Sequence, residues 1–340
     1  MGESSRGSAG FDYGLPEGRI AQVPVEPRDA ARLLVDRGPA DPPEHRHVRD
    51  LPDLLRSGDL LVVNDTRVRR ARLRLRKDSG GAVEVLLLEH AAEPGTWEAL
   101  CRPSRRVAPG TVVHGDGGLA VEVGADLGEG RRLVRMLDGD PEAHGEVPLP
   151  PYLHTVLDDP ERYQTVYADV PGSVAAPTAG LHFTDDLLAR CAAAGIGVAS
   201  VDLAVGLGTF RPIVTADVAD HRMHAEAYRV PASTLDAAAA TRAAGGRVVA
   251  VGTTVVRALE AAAATGEPEG RTDIFIRRGH RFAAVDLLLT NFHQPRSSLL
   301  VLVDAFVGDR WRDLYAEALR AGYRFLSFGD AMLLERADAA

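Results

Sequence analysis

The sequence has almost no cysteine and no long run of apolar residues. Its 340 residues include two cysteines, Cys101 and Cys191, which lie far apart and outside any CxxC or Cys/His cluster. This spacing argues against a disulfide framework and against a structural zinc site. No apolar run reaches membrane-spanning length, and residues 1–10 lack the hydrophobic centre of a signal peptide. We therefore expect a cytoplasmic protein with no metal site and no membrane association.

The sequence also lacks an excess of positive charge. Its 39 Lys and Arg against 48 Asp and Glu give a net charge of −9, so a polyanion would need a local basic face. One basic stretch, TRVRRARLRLRK, covers residues 66–77, and three more arginines follow at 102, 105 and 106. In a strand, Arg70, Arg72, Arg74 and Arg76 would share one face. Both a solvated strand face and a phosphate-binding face fit this pattern.

The length and the texture of the sequence predict two domains. Over residues 68–146, short runs with β-branched residues alternate with Gly, Asp and Pro, which is typical of a small antiparallel β-barrel. Residues 11–67 and 147–336 alternate strands with helices and predict a discontinuous α/β domain with a mostly parallel, three-layer sheet. The barrel is then an insertion in that domain. We expect residues 1–10 to be disordered and residues 299–303 to form a strand.

A loop rich in small residues, GSVAAPTAGLHF, covers residues 172–183. Small side chains let another backbone or a flat ligand approach closely, and Pro177 excludes a regular helix. Thr184 follows and is placed to cap a helix that ends at Gly195 or Gly197. The loop is either a ligand loop or a tight interdomain turn.

Polar residues follow several predicted strands of the α/β domain. Asp65 follows the strand LLVVN, and three loops occupy the ends of later strands: GLGTFRP at 206–212, GTTVVR at 252–257 and TNFH at 290–293. A single loop of this kind is usually structural. Three in one domain favour a shared pocket at the carboxyl edge of the sheet.

Two histidines and a glutamate form the motif HRMHAE. On a helix His221 and His224 would share a face, and on a strand His224 and Glu226 would do so. The HExxH order is absent, so general acid–base chemistry fits better than a metal. A surface histidine cluster is the alternative. The chain also has no P-loop, no GxSxG elbow and no GxGxxG at the start of a βαβ unit, which argues against common nucleotide-binding and acyl-transfer families.

A series of motifs runs in order from Phe11 to about Leu334. They are FDYGLP, IAQVP, GDLLVVNDTRV, PLPPY, YQTVYA, VAAPTAGLHF, GLGTFRP, HRMHAE, VVAVGTT, TDIFI, LLTNFH and YRFLSFGDAML. The chain thereby resembles the S-adenosylmethionine:tRNA ribosyltransferase-isomerases of queuosine synthesis. The resemblance implies an α/β domain with an inserted β-barrel. It also implies donation of the ribosyl part of S-adenosylmethionine to the aminomethyl group of a 7-deazaguanine base in tRNA. That unit is isomerised to an epoxycyclopentane, adenine and methionine leave, and no metal or other cofactor is expected.

The resemblance suggests roles for particular residues. A sulfonium acidifies the neighbouring carbon–hydrogen bonds, so a positioned base can begin the rearrangement. The catalytic candidates are His221, His224, Glu226, His293 and Asp65. The substrate-binding candidates are Arg67, Thr178, Ala179, Gly180, His182, Gly208, Thr209, Phe210, Thr253, Thr254, Arg257 and Asn291.

The chain departs from the family pattern at several positions. Ala204 replaces a common His, Val255 a small Ser, and Asp304 a common Ser. The remaining departures are Arg69, Arg70, Arg277, Arg278, Gln294 and Arg296. They leave three alternatives: an ordinary tRNA-modifying enzyme, the same chemistry on a free base or nucleoside, and a noncatalytic S-adenosylmethionine- or RNA-binding relative. We expect a monomer or a weak homo-oligomer.

Overall fold

The computed structural model describes residues 7–155, 157–206 and 212–337. The chain divides into two compact units. The first, larger unit comprises Met1–Thr66, Pro151–Val170 and Ala176–Ala340, and the second comprises Arg67–Pro150 and Pro171–Ala175. The second unit corresponds to the inserted domain expected over residues 68–146, with one short later segment added.

The two units are built from strands and short helices. The strands of the described residues are, in chain order, β1 (Arg32–Asp36), β2 (Glu44–His47), β3 (Leu60–Asn64), β4 (Thr66–Val68), β5 (Arg72–Lys77), β6 (Ala82–His90), β7 (Thr96–Arg102), β8 (Thr111–His114), β9 (Ala120–Gly128), β10 (Arg131–Asp138), β11 (Val170–Ser173), β12 (Gly197–Leu203), β13 (Glu226–Arg229), β14 (Val248–Val251), β15 (Glu269–Thr272), β16 (Leu287–Asn291) and β17 (Ala331–Glu335). The α-helices are α1 (Leu51–Leu54), α2 (Pro141–His144), α3 (Asp185–Ala193), α4 (Ala232–Ala243), α5 (Thr253–Thr265), α6 (Ser298–Val307) and α7 (Trp311–Arg320).

The larger unit contains a nine-stranded sheet in the order β15-β13-β12-β3-β14-β16-β17-β1-β2. Three consecutive pairings at its centre, β12 with β3, β3 with β14 and β14 with β16, are parallel. Leu61 of β3 is aligned with Val198 and Val249. Strands toward both edges add antiparallel pairings, so the sheet is mixed. The carboxyl ends of the central strands meet at one edge, where polar loops can converge.

Helices cover both faces of this sheet. Leu61 and Val63 belong to a buried cluster that also contains Leu51 of α1 and Leu187 of α3. The alternate residues of β3 point to the opposite face of the sheet. The helices α4 and α5 also contact β3, and neither contributes a residue to the first cluster. Every residue of β3 is buried, which explains its unbroken apolar sequence. The predicted three-layer α/β class is confirmed.

One predicted strand is a helix. Residues 299–303, LLVLV, lie in α6, which begins at Ser298. The Ser297 hydroxyl accepts a hydrogen bond from Leu300 N at 3.2 Å and caps the helix. The segment is buried on nearly all sides, so its sequence shows no helical periodicity and resembles a buried strand.

The second unit contains a closed antiparallel barrel in the order β10-β7-β6-β5-β8-β9. Along β5, Leu73 and Leu75 are buried while Arg74 and Arg76 are exposed. The closed barrel confirms the predicted barrel. Arg72, Arg74 and Arg76 share one face of β5, as predicted, whereas Arg70 lies before the strand.

The start of the described chain is ordered. Ser8–Phe11 form a 3₁₀ helix, although residues 1–10 were expected to be disordered. Phe11 is buried and stacks on Trp311, with ring centroids 6.3 Å apart. Within the described ranges, we find no helix of the length and apolar character needed to cross a membrane.

Candidate functional site

A cleft lies at the carboxyl edge of the large sheet. It is formed where the 176–179 loop meets the ends of β14 and β16, which are parallel neighbours. Its lining residues are Ala176, Pro177, Thr178, Ala179, Val205, Gly252, Thr253, Thr254, Thr290, Asn291, His293 and Leu299. Two of the three predicted strand-end loops and the small-residue loop therefore meet at one place.

A chain of hydrogen bonds crosses the floor of this cleft. The Thr178 hydroxyl donates to Asn291 Oδ1 at 2.9 Å, and Asn291 Nδ2 donates to His182 Nε2 at 3.0 Å. Burial, together with the nearby charges of Arg324, Arg162 and Arg28, lowers the pKa of His182 to about 3. A neutral His182 can accept at Nε2, so the three side chains are fixed in one orientation.

His293 lines the cleft as a neutral imidazole. Burial lowers its pKa to about 3. Its Nε2 lies 2.9 Å from Thr290 Oγ1. Its backbone is held on both sides, because its N–H donates to the Tyr315 hydroxyl at 3.0 Å and its carbonyl accepts from Tyr13. The fold therefore presents His293 as a fixed, uncharged base or hydrogen-bonding group.

The N-terminus of α5 forms another wall. Gly252 precedes the helix with φ 97°, in the left-handed region that favours glycine. Thr253 and Thr254 open the helix, and Asn64 at the end of β3 donates to Thr254 Oγ1 at 3.2 Å. The first amides of a helix lack intrahelical acceptors, so this wall suits an anion or a polar ligand edge.

Glu226 and Arg257 bind each other away from the cleft lining. Both are 4% exposed, and Arg257 Nη1 donates to Glu226 Oε2. Glu226 Oε1 also accepts from Gly206 N at 2.7 Å. The pair anchors the chain at Gly206, next to the cleft residue Val205. The roles of Glu226 in catalysis and of Arg257 in substrate binding stay predictions.

The two histidines of the HRMHAE motif do not share a helix face. They lie in an irregular segment between the 3₁₀ helix Val218–Asp220 and β13. His221 packs edge-on against Phe275, with ring centroids 5.2 Å apart. Partial burial and the neighbouring His224 lower the pKa of His221. Neither histidine is among the residues that line the cleft.

Asp65 lies at the same sheet edge in a different environment. Its backbone N–H donates to Val201 O at 3.0 Å, which ties it to β12. Burial raises its pKa, partly offset by a hydrogen bond from Ser200. Asp202 on β12 also has a raised pKa, because of burial and the charge of Asp65. Asp65 is a site residue predicted from the sequence, whereas Asp202 is not among those predicted.

Other predicted residues fall outside the cleft or outside the described chain. Arg67 belongs to the second unit. Gly180 is buried in the 3₁₀ helix Thr178–His182 behind the cleft. Gly208, Thr209 and Phe210 lie outside the described residues.

Several supporting residues were not predicted. They are Asn64, Thr290, Tyr13 and Tyr315. Asn64 and Thr290 are polar residues at strand ends beside predicted ones, and Tyr13 lies in the FDYGLP motif, so each had a usable signal. Tyr315 sits on the buried face of α7 and had none.

Two departures from the family pattern contact each other. Arg278 Nε and Nη2 donate to the two oxygens of buried Asp304 at 3.0 and 2.8 Å, and Trp311 Nε1 donates to Asp304 Oδ1 at 2.9 Å. A third departure, Val255, is fully buried within α5 and is not a cleft residue. These substitutions therefore change packing around the site rather than the cleft lining.

Histidines, cysteines and carboxylates are the side chains that most often hold metal ions in proteins. Over residues 7–155, 157–206 and 212–337, no group of three or more such residues is arranged to hold a metal ion.

Comparisons with known proteins cover nearly the whole chain. The family model described as "Queuosine biosynthesis protein" matches residues 8–334. A relative from Gloeobacter violaceus, named S-adenosylmethionine:tRNA ribosyltransferase-isomerase, is 54% identical over 95% of this chain and 94% of its own length. A relative of the same name from Symbiobacterium thermophilum is 51% identical over 95% of this chain and 98% of its own length.

A solved structure agrees with the fold. The crystal structure of S-adenosylmethionine tRNA ribosyltransferase from Thermotoga maritima has a TM-score of 0.56 and 38% sequence identity. The match covers 95% of this chain and 99% of that chain.

Proposed function

This chain belongs to the S-adenosylmethionine:tRNA ribosyltransferase-isomerase family of queuosine biosynthesis, and we propose that it catalyses the reaction for which the family is named. The resemblance found in the ordered motifs is confirmed. In the proposed reaction, the ribosyl part of S-adenosylmethionine joins the aminomethyl group of a 7-deazaguanine base in tRNA and is isomerised to an epoxycyclopentane. Adenine and methionine leave. S-adenosylmethionine is a substrate, no further cofactor is required, and a tRNA substrate fits the predicted cytoplasmic location.

The cleft at the carboxyl edge of the sheet carries this proposal. It joins a loop of small residues, a helix N-terminus and a strand-end histidine in one unit of the fold. The small residues Ala176 and Ala179 leave room for the flat adenine. The first turn of α5, with Thr253 and Thr254, suits the methionine carboxylate because its amides are unpaired. Thr178 and Asn291 supply hydrogen-bonding groups for base or ribose edges.

Among the predicted bases, His293 is favoured by its position. It lines the cleft, whereas His221 and His224 do not. Because its pKa is about 3, its imidazole is uncharged at neutral pH and does not repel the sulfonium cation. It can accept a proton from a carbon that the sulfonium has acidified. Because His293 is a weak base, it can remove this proton only if the sulfonium acidifies the carbon strongly or if proton transfer is concerted with the next bond change.

The acceptor is proposed to be tRNA rather than a free base or nucleoside. The relatives with about half of their residues identical are named for tRNA. Two of the departures that raised the alternative, Arg278 and Asp304, satisfy each other in an ion pair. They therefore give no reason to assign a changed acceptor. The buried, fixed hydrogen-bond chain from Thr178 to His182 argues against a relative that has lost its site.

The direct test is a product assay by mass spectrometry. The protein is incubated with S-adenosylmethionine and either tRNA carrying the aminomethyl-deazaguanine base or the free base. We expect release of adenine and methionine with a ribosyl-derived mass gain on tRNA. Gain only on the free base would establish the changed acceptor, and no release with either would refute the proposed activity.

Matched histidine variants test the assignment of the base. His293→Asn is expected to lower kcat by about 10²-fold or more, the usual range for loss of a general base. His221→Asn serves as the control, because this histidine is outside the cleft. Equal losses in both variants, or a loss only in His221→Asn, would contradict the assignment.

A further inference from the structure

Basic side chains gather at one end of the barrel. β5 ends with Arg76 and Lys77, and the register pairs Arg76 with Ala82 of β6. Glu84, two residues further along β6, pairs with Arg102 at the end of β7. The 3₁₀ helix Ser104–Arg106 follows β7 directly, and Lys77 Nζ donates to the Arg106 carbonyl. We call this surface the basic barrel end; it comprises Arg76, Lys77, Arg102, Arg105 and Arg106.

The arginines of this surface are exposed and available. Within the part of the barrel that the structure describes, Arg76, Arg102, Arg105 and Arg106 form no ion pair. Two carboxylates at this end of the barrel, Glu84 and Asp78, lie near other side chains. Glu84 lies 3.9 Å from Arg72, and Asp78 lies 3.3 Å from His114.

The barrel's other arginines contrast with these. Arg74 binds Glu146 at 2.8 Å, Arg131 binds Glu98 at 2.7 Å and Arg135 binds Glu122 at 2.6 Å. Arg72 donates to the Leu149 carbonyl at 3.1 Å. Of the strand face predicted from the sequence, Arg72 and Arg74 are thus committed to contacts within the barrel.

A buried arginine fixes the turn that carries Arg105 and Arg106. Arg132 is 5% exposed. Its Nη2 donates to the Ser104 and Val107 carbonyls at 2.8 and 3.0 Å, and its Nε donates to Ser104 Oγ at 3.2 Å. Arg132 therefore fixes the turn at both of its ends, Ser104 and Val107. This fixes the backbone that carries Arg105 and Arg106.

This turn forms one wall of an open cleft on the barrel. The opposite wall comes from the β9–β10 turn and includes Asp126 and Glu129. Asp126 Oδ1 accepts from Gly128 N at 2.8 Å, and its Oδ2 lies 3.7 Å from Arg132. The Asp126 carboxylate thus faces partners of its own rather than the exposed arginines.

Charge is divided unevenly between the two units. Residues 67–150 contain thirteen Lys and Arg and thirteen Asp and Glu, so the larger unit carries the whole net charge of −9. A polyanion is repelled on average by the larger unit and not by the barrel. In the described part of the barrel, the arginines of the basic barrel end are exposed, clustered and free of ion pairs.

We propose that the basic barrel end binds the sugar–phosphate backbone of the tRNA substrate. Guanidinium groups match phosphate in bidentate geometry, and this contact needs no particular base sequence. The inference rests on the proposed tRNA acceptor and adds to it the surface that holds the RNA. Affinity for RNA then comes from this surface, while the base to be modified is handled by the cleft in the larger unit.

The test measures tRNA binding by fluorescence anisotropy between 50 and 200 mM salt. The variant is Arg105→Gln with Arg106→Gln. Each lost phosphate contact lowers the slope of log K against log salt by about 0.7–0.9. We therefore expect a slope reduced by about 1.5 and a Kd raised roughly tenfold at 50 mM salt.

The matched control is Arg74→Gln with Arg135→Gln, which removes the same charge from arginines that are already paired. We expect its Kd to stay within about twofold of the wild type. Thermal unfolding of both variants verifies that the barrel is intact, and Arg102→Gln alone, which leaves the turn untouched, should raise Kd with no change in unfolding. Equal effects of test and control variants would overturn the inference.

Turnover measured in parallel separates this inference from the proposed function. If the wild type modifies tRNA but the double variant keeps its Kd and salt slope, the surface is misassigned and the function stands. If the wild type binds tRNA through these arginines but modifies only the free base, the acceptor is wrong and the binding surface stands. If the wild type binds no tRNA, both are overturned.

Discussion

Glu226 illustrates how a residue type that suggests catalysis can be engaged in a buried ion pair. The sequence places it two residues after a histidine, in a pattern that suits acid–base catalysis. In the fold it is buried against Arg257 and accepts from Gly206 N. Two charges that leave water together are stable only as a pair, because either alone would bear the full cost of desolvation.

Removing one charge of this pair should destabilise the protein strongly. Glu226→Gln leaves Arg257 buried without a counter-ion, and we expect a loss of about 3–5 kcal/mol in the free energy of unfolding. Adding Arg257→Met should recover most of that loss, because the second change removes the unpaired charge. Urea denaturation of the two variants measures both effects.

An exposed pair provides the control. Glu122→Gln breaks the surface contact with Arg135 and should cost no more than about 1 kcal/mol. If Glu226→Gln costs no more than Glu122→Gln, the buried pair does not have the structural role assigned to it.

The 3₁₀ helix Thr178–His182 shows how one short element supports the site. It places Thr178 in the cleft and His182 behind it, with Gly180 between them. A Cβ added at Gly180 would lie 2.1 Å from the Tyr167 hydroxyl and 2.8 Å from Thr165 Cγ2. The glycine is therefore required by close packing.

Gly180→Ala is expected to cost about 1–3 kcal/mol of stability through overpacking and to raise the KM for S-adenosylmethionine. Tyr167→Phe in the same chain removes the closest atom and should recover part of the loss. Thermal unfolding and steady-state kinetics check both. Gly172→Ala is the control, because no atom lies within 4 Å of its added Cβ; comparable losses in the two alanine variants would rule out the packing explanation.

Most elements could be predicted from the sequence because their patterns are local. The Thr184-capped helix, the alanine-rich α4 and the alternating β5 each carry their own signal. By contrast, α6 was mistaken for a strand, since burial on all sides removes the amphipathic period that marks a helix. The convergence of two strand-end loops, at 252–254 and 290–293, at one sheet edge followed from the general behaviour of parallel strands.

The site was only partly predictable because side-chain partnership is not local. No spacing rule connects Arg278 to Asp304, or Glu226 to Arg257, across 26 and 31 positions. Taken alone, Asp304 was only a departure from the family pattern. In the fold, Asp304 accepts hydrogen bonds from Arg278 and Trp311, and its distance from Arg278 in the sequence hides this partnership.

At the scale of the whole molecule, two buried neutral histidines link stability to pH. His182 and His293 have pKa values of about 3 in the fold, whereas an unfolded histidine has a pKa of about 6.5. Below pH 6.5 these two histidines bind protons in the unfolded chain but not in the folded chain. Stability is therefore complete above pH 6.5 and is lost as the pH falls toward 3.

Below pH 6, each buried histidine should lower the free energy of unfolding by about 1.4 kcal/mol for every unit by which the pH falls. We expect urea denaturation between pH 5.0 and 7.5 to show this slope, and His293→Asn to reduce it by one histidine's share. His154→Asn, at an exposed position, keeps both buried imidazoles and should leave the slope unchanged. A slope that is the same in His293→Asn and the wild type would mean that His293 is protonated in the fold.

The order of strands in the large sheet has a consequence for synthesis on the ribosome. β3 ends at residue 64, but its two sheet neighbours begin at residues 197 and 248. At a synthesis rate of roughly 5–20 residues per second, roughly 10 to 40 s pass between the synthesis of β3 and that of its second neighbour, β14. The six barrel strands, by contrast, follow one another between residues 72 and 138 and can pair as they emerge. All six barrel strands have thus been synthesised while the apolar strand that precedes them still lacks both neighbours, and an unpaired apolar strand is prone to aggregate.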